Sequence, residues 1–298
     1  MPPETELALR FVGALARYWS TCGGIGEGKT WVEAALASGD DQSPELRGRA
    51  LLAAGRLAWV RDEWSEARPA LEQAYDLFGR AGSTSGVLQA LSELSSVYAN
   101  LGEVERAKRL NAEGMELART AGDTRRLGIF SAIAGYRALL EGDTDSAAPL
   151  FEAALANFEA CGDESARGQA LENLALLALR RGDSHEAGHR VVGALRLGRK
   201  LGDRRLIAHA LPIAATVALD RNEAAVATTL LRGVNEACRA LEIALERHEA
   251  ELAAVAAERA RQLLTEEEFS AAWTAGEGLA SETVVDLALR AVGAKVSA

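Results

Sequence analysis

The chain has 298 residues, 48% of them hydrophobic but only 5% aromatic, and a net charge of −10. An acidic chain is a poor partner for phosphate backbones, which argues against direct duplex nucleic-acid binding. Cys22, Cys161 and Cys238 are too few and too far apart for a disulfide framework or a zinc knuckle, and no apolar run approaches the ~20 residues that span a bilayer.

The start, Met1-Pro2-Pro3-Glu4-Thr5-Glu6, lacks the basic and apolar regions of a signal peptide, so a cytoplasmic product is expected. From there the predicted elements are all helical. A first pair falls at 5–21 and 27–38, with Trp19, Gly23, Gly28, Val32, Ala35 and Leu36 at its packing and turn positions. The next helices are 45–60 and 64–80, 84–100 and 104–120, and 124–141 and 144–160. After them come 164–181 and 184–200, then 204–220 and 223–241. Ala/Leu-rich segments with six prolines and no long alternating Val/Ile/Thr runs exclude a sheet.

These pairs repeat. Ala67, Ala107, Ala147, Ala187 and Ala227 keep one register, and Gly82, Gly122, Gly162 and Gly202 keep another, both at forty-residue steps. Such a period means a solenoid in which each helix pair stacks on its neighbours. Within a pair the first helix ends in a tight turn, as at Gly102-Glu103, Gly142-Asp143 and Gly182-Asp183. Glycine accepts the left-handed conformation that closes a helix, and the following acid is placed to cap the next one. The alanine four or five residues on lets the two helices approach closely.

Leu174-Ala175-x-x-Ala178, Gly182, Ala187, Val191 and Ala194-Leu195 resemble the tetratricopeptide-repeat pattern, as do Ala134, Gly135, Ala138, Gly142, Ala147, Phe151, Ala154 and Leu155. The forty-residue period exceeds the usual thirty-four and implies helices longer by nearly a turn each. The resemblance implies a right-handed superhelical solenoid of antiparallel pairs over 1–241. Residues 242–298 then form a helical capping region, with one long helix at 242–264, a capping box at Thr265–Glu268, and a last helix at 282–293 capped by Ser281.

A narrower resemblance lies at the two ends. Leu9-Arg10-Phe11 to Trp19 with Gly28-Lys29-Thr30-Trp31-Val32-Glu33-Ala34-Ala35-Leu36, and the tail Phe269 to Leu279 with Trp273 and Gly276, are similar to the helical repeats of bacterial signal-transducing ATPases with LuxR-type DNA-binding domains. In that family the C-terminal repeats are thought to sense a ligand or partner. Its nucleotide- and DNA-binding parts are absent from this sequence, so only a sensor role is implied.

Two motifs imitate catalytic sites. Gly23 to Thr30 fits the phosphate-loop formula G-x4-G-K-[ST], but that chemistry needs a strand running into the loop, and 9–20 reads as a helix. His185-Glu186-Ala187-Gly188-His189 fits the zinc-protease formula, but Ala187 is a repeat-core alanine and a third ligand is not evident. No enzyme, cofactor or metal is therefore expected.

The tetratricopeptide resemblance implies that first helices line a concave groove. Its groove-facing positions carried over to this chain are Arg49, Leu52, Arg56 and Trp59, then Gln89, Ser92 and Ser96, then Ile129, Ala132, Tyr136 and Leu139. Gln169, Glu172 and Leu176 follow, and then His209, Pro212 and Thr216. The expected partner is a protein or peptide segment with an acidic end and apolar anchors. Leu52/Arg56, Ser92/Ser96 and Ala132/Tyr136 replace the Lys/Asn set with which chaperone-binding repeats grip a terminal carboxylate. The alternative reading is a small-molecule sensor with its ligand around Ile129, Ile133, Tyr136 and Leu139.

Overall fold

A computed structural model describes residues 3–37 and 43–294. The first two residues of the start, the last residue of the predicted helix 27–38, and the final four of 242–298 lie outside the described residues. The described chain is all-α, with no strand. The first six helices are α1 (Pro3–Cys22), α2 (Ile25–Ala37), α3 (Pro44–Trp59), α4 (Trp64–Arg80), α5 (Thr84–Asn100) and α6 (Val104–Ala121). Six more follow: α7 (Thr124–Leu140), α8 (Thr144–Cys161), α9 (Glu164–Arg180), α10 (Ser184–Leu201), α11 (Arg204–Asp220) and α12 (Ala224–Leu241). The last three are α13 (Arg247–Leu263), α14 (Glu266–Ala275) and α15 (Ser281–Ala291).

Two compact bodies divide the chain. The N-terminal body runs to Arg137 and includes Glu242–Ala244; the C-terminal body is Ala138–Leu241 with the residues from Leu245 on.

The turn chemistry explains the pairing. Gly82, Gly102, Gly122, Gly142, Gly162, Gly182 and Gly202 all have φ between 64° and 81°. Where glycine is missing, the backbone keeps the same beat: Asp62 (φ 67°), Asn222 (φ 63°) and Glu242 (φ 56°) occupy the left-handed position. Asp and Asn tolerate it through their short polar side chains; Glu does so less readily. The following residue caps the next helix when it is short. Asp143, Asp163, Asp183 and Asp203 each accept a hydrogen bond from the backbone N–H three residues on. Glu63 and Glu103 make no such bond, so the capping expectation at Gly102-Glu103 is corrected: the extra methylene carries the carboxylate away from the N–H groups.

The recurrent alanines sit in the core. Ala67, Ala107, Ala147, Ala187 and Ala227 are all buried. In the first pair Gly28 takes that role, and a Cβ there would lie 2.7 Å from the Trp19 ring.

The end of the chain differs from the expectation. The single helix predicted at 242–264 is α13 alone, beginning at Arg247. Before it, Glu242 closes the repeat in the left-handed region, and the Ala244 N–H donates to the Val60 carbonyl at 3.1 Å. The Thr265–Glu268 capping box forms at α14. Ser281 is not the cap of the last helix: it is the first residue of α15, and the N-cap is Ala280, which has no side chain to offer. Within the C-terminal body α13 packs along α11 and α12, α14 on α12, and α15 on α10, α11 and α12. As a result every residue of α11 from Leu206 to Leu219 is buried.

Candidate functional site

In the N-terminal body the first helices α1, α3 and α5 enclose an open cavity of about 500 Å³. Arg10 and Gly13 line it from α1, Arg49, Leu52 and Arg56 from α3, and Gln89 from α5, with Phe78 and Ser85 at its edge. Four of the groove residues read from the sequence, Arg49, Leu52, Arg56 and Gln89, thus meet at one place. Arg10 was missed there. Its signal was present: thirty-nine residues separate Arg10 from Arg49, as they separate Gly28 from Ala67.

Each arginine of the cavity carries a local acid. Arg10 pairs with Glu6 at 2.7 Å and Arg49 with Glu45 at 2.9 Å, both one helical turn away. Arg56 pairs with Glu93 of α5. Behind Glu93 stands Arg126 of α7, buried, with its pKa pushed down to about 10 by desolvation and then by the neighbouring Arg125 charge. Pairs of the first kind, exposed and four residues apart, are worth only ~0.3–0.5 kcal/mol, so Arg10 and Arg49 can exchange partners at little cost. Arg56 is more firmly held. Ser92 is buried and donates to the Gln89 carbonyl, while Trp59 is half-buried edge-on to Trp64 at 6.4 Å between ring centres. Ile129 and Tyr136 are half-buried.

The C-terminal body treats its corresponding face differently. Leu139 is buried, Gln169 is exposed, and Glu172, Leu176, His209 and Thr216 are buried. What covers this face is α13, and it does so with polar groups. The Arg205 guanidinium of α11 meets Glu246 at 2.8 Å just before the helix starts. Arg180 of α9 donates to His248 Nδ1 at 2.7 Å and meets Glu251 at 3.1 Å. Glu249 and Glu172 face each other as a carboxyl pair. Burial pushes Glu172 up to about 8, with the Glu246 charge adding to the shift, and pushes Glu249 well above the carboxylate range. A hydrogen bond between the two raises Glu249 further and lowers Glu172. His209 is held neutral, its pKa driven well below the usual value by burial and then by Arg205. His248 is lowered to about 4, by burial and then by Arg180. None of these interactions could have been read from the sequence, because an amphipathic helix does not announce the face on which it lies.

Both motifs that fit catalytic formulas lie on helices or at the turn into one. Of the Gly23–Thr30 stretch, Gly23 and Gly24 join α1 to α2 and the rest opens α2, and the segment before it is a helix; Lys29 Nζ lies 2.8 Å from Glu66 and 3.5 Å from Glu63. His185 and His189 are exposed on α10 while Ala187 faces the core. Among the described residues no group of three or more His, Cys, Asp or Glu is arranged to hold a metal ion, and no helix is long and apolar enough to cross a membrane.

No protein-family model matches the chain, and no curated protein does. Solved structures do. It is similar to NprR in complex with its cognate peptide NprX, with a TM-score of 0.63 and 14% identity over 89% of this chain and 74% of that one. It is similar to a Rap protein complexed with competence and sporulation factor, at TM-score 0.57 and 16% identity over 83% and 70% of the two chains. BtubC from P. vanneervenii aligns at TM-score 0.51 and 20% identity over 67% and 84%. At these identities the likeness is one of fold: the chain shares the helical-repeat architecture of these proteins.

Proposed function

We propose that this protein is a non-enzymatic regulatory module that binds a short peptide or protein segment at the cavity among α1, α3 and α5. The observation that carries this reading is the convergence there of Arg10 and Arg49, loosely paired, beside Leu52 and Phe78. A segment with an acidic end and an apolar anchor would exchange the exposed ion pairs for its own carboxylate and bury its anchor against the apolar wall. Gln89 adds an amide for the segment's backbone. The structure of NprR in complex with its cognate peptide supports the reading, since the same helical-repeat architecture holds a peptide there. So does the resemblance of the chain ends to the sensor repeats of bacterial ATPase regulators. Cytoplasmic signalling, including control of transcription, is the setting we infer.

The test is fluorescence anisotropy with a library of dye-labelled heptapeptides that vary in terminal acid and apolar anchor. Acid-ended members should bind wild type and lose at least tenfold in affinity to an Arg10→Glu/Arg49→Glu variant, which corresponds to ~1.4 kcal/mol. Equal binding by both proteins, or binding by no member, would remove the proposal.

A further inference from the structure

The first helix pair exposes an aromatic face. Leu7 (67%), Phe11 (47%) and Tyr18 (59%) stand one above another on α1, and Trp31 (51%) stands beside them on α2. The Phe11 ring meets Trp31 edge-on at 6.1 Å and Trp19 at 6.4 Å. Four large apolar side chains in one place are more than scattered surface residues amount to, and they mark a surface that another element covers.

The repeat register identifies the kind of element that fits this face. The buried positions of α1, Leu9, Val12, Ala16 and Trp19, lie thirty-nine residues before Gly48, Leu51, Gly55 and Ala58, which are buried in α3. In the same register Phe11 is the counterpart of Ala50, and then, at forty-residue steps, of Ala90, Phe130, Ala170 and Ala210, each 0% exposed. Tyr18 is the counterpart of Leu57, Val97, Leu177 and Val217, all buried, with the half-buried Arg137 the exception in the series. Later first helices bury these positions against the second helix of the preceding pair. Phe130 lies so close to α6 that a Cβ on Gly114 would be 2.1 Å from its ring. Val217 lies over Gly188 of α10, where a Cβ would be 3.5 Å away.

We infer that the exposed face of α1 and α2 docks an amphipathic helix of a partner, lying where a preceding second helix would lie, with a glycine opposite Phe11 and basic residues near its ends. The glycine requirement follows from the size of Phe11, which matches Phe130 and not the alanines of the other pairs. The basic ends follow from charge: the exposed Glu4 stands on the same stripe as Leu7 and Phe11, and Glu27 Oε1 accepts from the Trp31 indole at 3.3 Å. Two copies of this face would bring these acids together, which disfavours self-association. α6 has the required chemistry, with Gly114 inside a helix carrying Arg106, Lys108, Arg109 and Arg119.

The probe is a lactam-stapled, end-capped peptide of residues 104–121, titrated into the full chain by anisotropy. Binding should fall at least tenfold in a Phe11→Glu variant, and equally when the peptide carries Gly114→Leu. Phe11 is half exposed, so the variant should melt as wild type does; a Trp31→Ser variant provides a second probe of the same face. Failure of wild type to bind the peptide, or undiminished binding by the variants, would overturn the inference. So would sedimentation showing a wild-type dimer that Phe11→Glu dissociates, since the occupant would then be a second copy. The cavity among α1, α3 and α5 is untouched by these substitutions, so the two proposals fail separately.

Discussion

The first-helix face of the N-terminal body is open around Arg10, Arg49 and Leu52, whereas the same face of the C-terminal body is covered by the chain's own α13. Both are built from one repeat, with the same left-handed turns and the same buried alanines. What separates them is occupancy. A face that keeps exposed, locally paired arginines can trade partners with an incoming acid. A face whose acids each keep a proton beneath a helix is committed to internal packing. Repeat register thus tells where a groove position lies, but the surrounding chain decides whether that position is free to bind.

The sharpest contrast pairs two substitutions to the same acid. Leu176→Asp places a carboxylate at a fully buried position of α9 and should cost more than ~3 kcal/mol, whereas Gln89→Asp on the open face should change stability by ~0.5 kcal/mol or less. Urea midpoints of the two variants check this, and equal losses would mean that the faces do not differ.

A smaller effect tests the carboxyl pair. Unfolded, Glu172 ionises near its ordinary value of 4.5; folded, it holds a proton up to about 8. Between those values the folded chain binds more protons than the unfolded one, so stability falls as pH rises, by up to ~1.4 kcal/mol per pH unit for one proton. His209 acts in the opposite direction. It is neutral when folded and takes a proton when unfolded below about 6.5, so its contribution is lost as pH falls through that range. The interval from pH 6.5 to 8 therefore isolates the acids. Stability should decline across it in wild type and about half as steeply in Glu249→Gln, where one of the two retained protons is gone while Glu172 stays buried. A Glu249→Gln profile parallel to wild type would show that Glu249 holds no extra proton in the folded chain.

The smallest contrast lies in the turns. Asp163→Ala removes a cap in the C-terminal body and should cost about 1 kcal/mol, while Glu103→Ala in the N-terminal body removes only exposed pairs with Arg68 and Arg106 and should cost a few tenths. Thermal melts would separate them by several degrees at most.

These contrasts also mark what the sequence could and could not convey. The alanine and glycine periods made the helix pairs legible, and Thr265–Glu268 was legible as a capping box because its mechanism is local. The period was lost at Asp62, Asn222 and Glu242, where the backbone repeats but the residue type does not. Arg49, Leu52, Arg56 and Gln89 could be grouped because one register places them on successive first helices. The burial of Glu172 and His209 could not be anticipated, since it depends on a helix some forty to eighty residues away in sequence choosing one face over another.

The most direct test is hydrogen exchange of the full chain, free and saturated with an acid-ended heptapeptide. Added protection confined to α1, α3 and α5, with α9, α11 and α13 unchanged, is the predicted result. Protection appearing instead in α9 and α11, with α13 released, would mean that the covered face is the binding site and would contradict the account.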